Sequence, residues 1–455
     1  MKALITFSRI FVGSLFMVSG LIKANDPLGF SYKLEEYFAE SALNLPFLEP
    51  FALSLAILVC IGEVVLGLAV LFGGKMRLAS WSLLLLTIFF GWLTLYTATC
   101  DPHGTYTIME NGKEVTKTVT CVTDCGCFGD AMKGSIGRSL TPWESFYKDL
   151  VLFIFIIPIF IFQKKIKLNT EQDDKILFPG SILAVSFFSW VFTWWFPVLF
   201  LIVGFAGHFA LKKFIQQDWK EWALAGYATI IALGFALYCF NYLPVRDYRP
   251  YAIGTDIKEA MKSCEELGVP CPENGYIYTL KNKETGEMKE VTDREYIAQK
   301  LWEDKSLEML TGDENMKSIT YVEGYESPIH DFNLLNQDGE DLTETILNSE
   351  NVFLLVAYDI ANSNETCQSA TNNLVSEVTK SGALFYGVTA SAYNETEDFR
   401  HRNQSMFEYL NADGTTLKTI IRSNPGLVHL QNGKIVGKWH YNNIPNFQSI
   451  SNSLN

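Results

Sequence analysis

The chemistry available to this chain is concentrated in its nine cysteines, four of which crowd into one stretch: Cys100, Cys121, Cys125 and Cys127. Cys125 and Cys127 are separated by Gly126 alone, within Asp124-Cys125-Gly126-Cys127-Phe128-Gly129-Asp130. A disulfide across one residue closes a small, strained ring, so such a bond is readily reduced and oxidising. Glycine supplies the unusual backbone angles the ring needs. The pattern points to thiol–disulfide exchange, with Cys125 and Cys127 as catalytic candidates. Metal binding is the competing chemistry, with Cys121, Cys125, Cys127 and His103 as ligands. Cys-x-Cys is poor spacing for structural zinc and no Cys-x-x-Cys completes a site, so no metal is assigned. Cys100 and Cys121 bracket a loop with a turn at Asn111-Gly112 and read as a structural disulfide. The alternative is that one of them exchanges with the Cys125/Cys127 pair as an electron shuttle. Cys264 and Cys271 flank Glu-Glu-Leu-Gly-Val-Pro and read as a simple staple.

Glu63 is the second candidate. It lies near the centre of an apolar run, in Cys60-Ile61-Gly62-Glu63-Val64-Val65-Leu66-Gly67. A carboxylate at mid-bilayer is expensive unless neutral or paired, so it is a functional candidate. The alternative is a structural Glu63, protonated or paired with Arg9, beside close-packing glycines. His208, near the end of a later run, reads as structural or interfacial.

These residues need elements to hold them. Of 455 residues, 48% are hydrophobic and only 19% charged, against about 25% charged in ordinary soluble domains. Residues 1–240 carry 18 acidic and 18 basic side chains, so the net charge of −14 belongs wholly to the second half. A membrane half is thus joined to an acidic, water-soluble half. Without basic patches, nucleic acid is excluded as a natural partner. Apolar runs of bilayer length fall at roughly 4–22, 51–72, 77–98, 147–163, 176–193, 196–214 and 222–241, a count of seven spans with six as the main competitor. Lys75 and Arg77, then Lys164, Lys165 and Lys167, then Lys212, Lys213 and Lys220 assign their short loops to the cytoplasm. The loop 99–146 and everything after Asn241 then lie outside, where seven of the nine cysteines fall, as in an oxidising compartment.

The motif Arg9-x-x-x-Gly13-x-x-Phe16-x-x-Ser19-Gly20-x-x-Lys23 resembles the first helix of the DoxX family and its methylamine-utilisation relatives, MauE. Glu63-x-x-x-Gly67 resembles that family's second-helix motif, and Cys125-Gly126-Cys127-Phe128-Gly129 the run that closes the loop before its fourth helix. The resemblance implies a four-helix membrane domain over 1–165, with a cysteine-rich periplasmic loop at 99–146 and additional transmembrane helices at 166–241. It also implies quinone- or thiol-linked redox chemistry, with any quinone between the spans near Glu63. The insertion between Cys100 and Cys121, and the extra hairpin at 176–214, depart from the simple four-helix form.

Residues 242–322 read as a polar tether, Tyr242–Pro250, followed by a small α+β connector with a helix at Asp256–Leu267 and a strand–turn–strand at Gly275–Val291. Residues 323–455 alternate strands and helices. Ser327-Pro328-Ile329-His330-Asp331-Phe332-x-Leu334 resembles the entry to TlpA-type thioredoxin folds, and Pro425 has the placing of their cis-proline. Fusions of DoxX-like bundles to such domains are similar to those of Bacteroidetes-type envelopes. The dithiol is missing, because Tyr358 to Gln368 holds only Cys367. A lone thiol cannot resolve a mixed disulfide, so the domain reads as a docking module without oxidoreductase activity of its own.

The expectation is therefore an α-helical membrane bundle with a C-terminal α/β thioredoxin-like domain, multi-pass in the inner membrane, its C-terminal domain periplasmic. Its expected partners are the lipid bilayer and an envelope or redox protein docking on the thioredoxin-like domain. Its expected function is periplasmic thiol–disulfide or quinone-linked electron transfer. The rival is a non-catalytic membrane scaffold or chaperone.

Overall fold

The computed structural model describes every residue except 1, 102, 103, 111, 112, 123–125, 127, 217, 218, 311–315 and 455; the side chains of 108–110, 113, 118 and 451–454 are likewise left out. The chain forms two compact units, one of residues 1–100, 120–254 and 333–455, the other of 101–119 and 255–332.

The first unit opens with a helical bundle: α1 Lys2–Asn25, α2 Pro27–Phe38, α3 Ala52–Phe72, α4 Met76–Ala98, α5 Asp130–Ile136, α6 Pro142–Ile161, α7 Glu171–Val191, α8 Phe196–Phe214 and α9 Lys220–Tyr242. Six of these, α1, α3, α4, α7, α8 and α9, are long and apolar enough to cross a membrane. The seventh span predicted from sequence coincides with α6, whose first turns carry Glu144, Lys148 and Asp149 and which is apolar only from Leu150 onward. Leu58, Phe89, Ile154, Leu183, Leu199 and Ile230 point outward and exposed, as a helix side facing lipid would. The α7–α8 hairpin turns at Phe192–Trp195, just ahead of Pro197, which occupies the first turn of α8 where its missing N–H costs nothing.

The α1–α3 contact is the tightest in the bundle's core. A side chain at Gly20 would come within 2.8 Å of the Val64 backbone nitrogen, and one at Gly67 within 2.7 Å of the Gly13 carbonyl. Small residues here let two backbones touch and fix the register of the pair. At its far end α3 leaves carbonyls without helical partners. Arg9 fills that need, donating from Nε to the Val70 carbonyl (2.9 Å) and from Nη2 to the Leu71 carbonyl (3.1 Å) and Asn169 Oδ1 (2.6 Å). Asn169 donates to Asp174 (2.9 Å), and Asp174 also meets His208 Nε2 (3.2 Å) and Lys212 Nζ (2.9 Å).

The second unit holds an antiparallel hairpin, β1 Thr105–Glu110 with β2 Lys113–Thr118, and a four-stranded antiparallel sheet. Two short helices, α10 Ile257–Met261 and α11 Cys264–Leu267, replace the single predicted one, because Lys262 leaves the helical conformation and Ser263 starts a new capping box with Glu266. In the sheet, β3 Glu273–Asn282 pairs with β4 Met288–Thr292, β5 Leu307–Met309 and β6 Met316–Val322, and α12 Asp293–Ala298 follows β4.

The remainder of the first unit is thioredoxin-like. It runs α13 Thr343–Asn348, β7 Val352–Val356, α14 Gln368–Ser381, β8 Leu384–Thr389, α15 Tyr393–Arg402, β9 Tyr409–Asn411, α16 Gly414–Ile420, β10 Gly426–Gln431, β11 Lys434–His440 and α17 Phe447–Leu454. The strand order is β11-β10-β7-β8-β9, with β7, β8 and β9 parallel and β10 antiparallel to both neighbours. All five residues of β7 are buried, the mark of a central strand covered on both faces. Tyr242–Pro250 is no loose tether. Arg249 is buried, bonded to Asp247 and to the Thr419 carbonyl (3.0 Å), while Asp247 also receives Lys438 Nζ from β11 at 2.7 Å. Two cations around one carboxylate fasten the segment to the sheet.

Candidate functional site

Glu63 faces α1 from the middle of α3, and its partner is Lys23 rather than Arg9. Lys23 Nζ lies 2.5 Å from Glu63 Oε1, and both side chains are almost wholly buried. Arg9 is drawn away to the buried carbonyls in the last turn of α3, where a guanidinium fork fits best. Lys23 also donates to Ser19 Oγ (3.1 Å) and lies over the rings of Phe30 and Phe90, at 5.6 and 5.3 Å. Beyond the pair is a cavity of about 30 Å³, walled by Leu15, Phe16, Thr87, Phe90, Phe128 and Leu152 and by a second ion pair, Lys148–Asp149 at 3.2 Å. A benzene-sized ring takes an engineered cavity of about 150 Å³. The quinone expected between the spans near Glu63 therefore does not fit this cavity, and no step is routed through one.

Of the cysteine motif, Cys125, Cys127 and Asp124 lie outside the described residues, as does His103. Gly126, between the two cysteines, is buried with φ +65°, and a side chain there would run into the stem of Lys33 at 2.8 Å. Phe128 turns inward, 5.1 Å from the Phe192 ring and 5.2 Å beneath Lys148 Nζ. Gly126 and Phe128 also line a larger cavity, about 410 Å³, with Asp26, Tyr32, Lys33, Arg246, Lys418 and Arg422 around it.

That cavity lies where the bundle meets α16 and the segment after it in the thioredoxin-like domain. Asp26 caps α2, accepting from the Gly29 N–H (2.8 Å), and at the same time takes Arg422 Nε at 2.8 Å from the segment after α16. Burial works against the Asp26 carboxylate, but Arg422 and Arg249 outweigh it and hold the carboxyl below its ordinary range. Asp247 is likewise held low, Arg249 and Lys438 overcoming burial, while burial and nearby Arg249 bring the Lys438 ammonium down to about 8. The Tyr32 and Tyr358 hydroxyls meet at 3.1 Å.

Tyr358 begins the loop where a thioredoxin dithiol would stand. Asn424 Nδ2 donates to the Asp359 carbonyl (2.6 Å) and the Asn364 N–H to the Asn424 carbonyl (2.9 Å), which ties this loop to the cis Asn424–Pro425 peptide. Cys367 caps α14 with only 4% of its surface exposed, and burial pushes its thiol up. Burial of this kind disfavours the thiolate, the reactive form. Cys100 is bonded to Cys121 across Cα atoms 5.8 Å apart, and Cys264 to Cys271 across 5.2 Å. Cys60 and Cys239 are free and buried among the helices. Lys23, Thr87, Lys148 and Asp149 escaped the sequence reading as site residues. The signal for Lys23 was its place in the first-helix motif, a cation one turn inside an apolar helix.

No curated protein matches the sequence of the chain. Among solved structures, the thioredoxin domain of a thiol-disulfide oxidoreductase from Bacteroides vulgatus is similar at 14% identity, covering 27% of this chain and 93% of that one with a TM-score of 0.23. The bacterioferritin comigratory protein of Xanthomonas campestris, described for alkyl peroxide reduction, is similar at 12% identity over 27% of this chain and 87% of that one, with a TM-score of 0.20. Residues 1–103, which hold α1, α3, α4 and the Lys23–Glu63 pair, match the family described as methylamine utilisation protein MauE.

Proposed function

We propose that this multi-pass membrane protein carries out thiol–disulfide exchange on the outer side of the cytoplasmic membrane, with Cys125 and Cys127 as the exchanging pair. In this reading α6 is the seventh span, and the thioredoxin-like domain is a fixed cap rather than a second redox centre. The observation that carries it is the setting of Gly126, the residue between the two cysteines. It is buried on the wall of the larger cavity, against the stem of Lys33, in a lining where Lys33, Arg246, Lys418 and Arg422 are interspersed with Asp26, Glu35, Glu36 and Asp130. A cation beside a thiol favours the thiolate, the form that attacks and leaves in exchange, and Lys33 is the cation whose stem lies against Gly126.

The chemistry balances without a bound cofactor. A thiolate of a dithiol partner attacks one sulfur of the Cys125–Cys127 bond, which breaks, and the other sulfur leaves as a thiolate and takes up a proton. The partner's second thiol, losing its proton, displaces the mixed disulfide. The partner departs oxidised and the pair is left as two thiols. A disulfide-bearing partner runs the sequence in reverse and restores the bond.

A static scaffold is the second reading, favoured by the close seating of a dithiol-free domain on the bundle through Asp26–Arg422 and Asp247–Lys438. Graded reduction of the full-length protein, followed by alkylation and mass spectrometry, separates the two. The Cys125/Cys127 bond should open before Cys264–Cys271, and a Cys127→Ser variant should collect mixed disulfides at Cys125 in cells. Simultaneous opening with no adducts would leave only the scaffold.

A further inference from the structure

Two ion pairs border the small cavity inside the bundle, and they leave it with unmet hydrogen-bonding demand. Lys23–Glu63 comes from α1 and α3; Lys148–Asp149 comes from α6, with Thr94 of α4 donating to Asp149 Oδ2 at 3.1 Å. Glu63 uses Oε1 for Lys23, but among the described residues its Oε2 has no partner, and neither has the Thr87 hydroxyl. Both residues are buried, at 3% and 4% exposure, and both line the cavity. A buried acceptor left unmade costs roughly 1–3 kcal/mol, and more when it is charged, so a carboxylate oxygen here calls for a donor.

The cavity has the size and the walls for one kind of donor. Its volume is about 30 Å³, whereas one water needs roughly 10–15 Å³ and two to four polar partners. Glu63 Oε2, the Thr87 hydroxyl and the Lys148–Asp149 pair supply those partners. We propose that this cavity is a water-binding site, in which one or two waters donate to Glu63 Oε2, engage Thr87 Oγ1 and connect the Lys23–Glu63 pair to Lys148–Asp149. Hydration of this kind gives the mid-helix carboxylate a hydrogen-bonded path towards the wall formed by Phe128, the residue that follows Cys127. The proposal stands independently of the exchange reaction, because it concerns what the cavity binds and not what the thiols do.

Hydroxyl-radical footprinting by X-ray radiolysis tests it with water itself as the probe, on the full-length protein in lipid nanodiscs. Radicals formed from a bound water oxidise side chains beside it, even buried ones. Phe16 and Leu152, which wall the cavity at 6% and 8% exposure, should be oxidised several-fold faster than Phe200 and Phe235, which at 5% and 9% do not line it, and than the more deeply buried Leu68. The rate at Phe16 should fall towards that of Phe200 in Thr87→Val, which removes one polar partner while keeping the volume. Glu63→Gln provides a second variant should the first fail to fold. Labelling of Phe16 and Leu152 no faster than that of Phe200 and Phe235 in the unaltered protein would overturn the site. Unchanged labelling in both variants would overturn the roles of Glu63 and Thr87 in it.

Discussion

The bundle buries two clusters of charge, and they differ in how completely they are satisfied. At the end of α3, Arg9, Asn169, Asp174, His208 and Lys212 form a set in which the carboxylate is fully met, His208 Nδ1 being the ring atom left without a partner among the described residues. Both Asp174 oxygens are partnered, and Arg9 donates to the Val70 and Leu71 carbonyls at the end of α3 and to Asn169, which itself donates to the Leu71 carbonyl. Around Glu63 the set stays open, with one carboxylate oxygen and the Thr87 hydroxyl facing a cavity. A closed network can only hold helices together. An open one keeps a charged group within reach of something that is not part of the fold, and unsatisfied buried polar atoms in a native structure ask for such an explanation. The difference lies in the carboxylates: protein groups meet both oxygens of Asp174, while one oxygen of Glu63 is left beside a cavity.

Breaking the closed cluster should have the largest effect. Asp174→Ala strands His208, Lys212 and Asn169 together, and removing one member of a buried ionic set costs about 3–5 kcal/mol. Unfolding of the purified protein in nanodiscs reads this, and a loss within the roughly 0–1 kcal/mol of an exposed pair would erase the distinction drawn here.

The open pair should respond differently. Lys23→Met alone leaves Glu63 uncompensated and should be destabilising by a similar amount, about 3 kcal/mol or more. Joining it with Glu63→Leu should return stability to within about 1 kcal/mol of the original, since apolar replacement of a whole buried pair is often neutral. Should the double variant prove as unstable as the single one, the pair is structural and the comparison fails.

Acid should act on the seating of the thioredoxin-like domain. The carboxyls of Asp26 and Asp247 ordinarily titrate near 3.8 and are held lower by Arg422, Arg249 and Lys438. Their contribution is complete above that value and is lost as pH falls through the lower folded-state values, so loosening should begin only below about pH 4. Limited proteolysis at Tyr242–Pro250 across a pH series would follow it, and cleavage that already rises between about pH 7 and 5 would contradict the assignment.

The smallest effect is expected at Cys367. Exchanging its buried thiol for a hydroxyl in Cys367→Ser should cost roughly 1 kcal/mol and leave exchange rates with a dithiol peptide unchanged. A fall in rate would bring the thioredoxin-like domain into the chemistry.

The sequence by itself determined whatever depends on local pattern. Apolar runs specified the long helices, and alternation of strand and helix specified the thioredoxin-like sheet. The absence of a second cysteine near Cys367 removed the dithiol at once. One apolar run, at α6, was legible as a helix but carries three charges in its first turns, which local pattern cannot tell from a site. Only the tertiary structure decided which charges meet. Lys23 and Glu63 are 40 residues apart and Asp26 and Arg422 are 396 apart, distances over which pattern carries no register. Gly13, Gly20 and Gly67 let α1 and α3 come into backbone contact, and that approach fixes which turn of one helix faces which turn of the other. Once it is fixed, Lys23 is the cation that reaches Glu63, and Arg9 is left at the carbonyls of the opposite end.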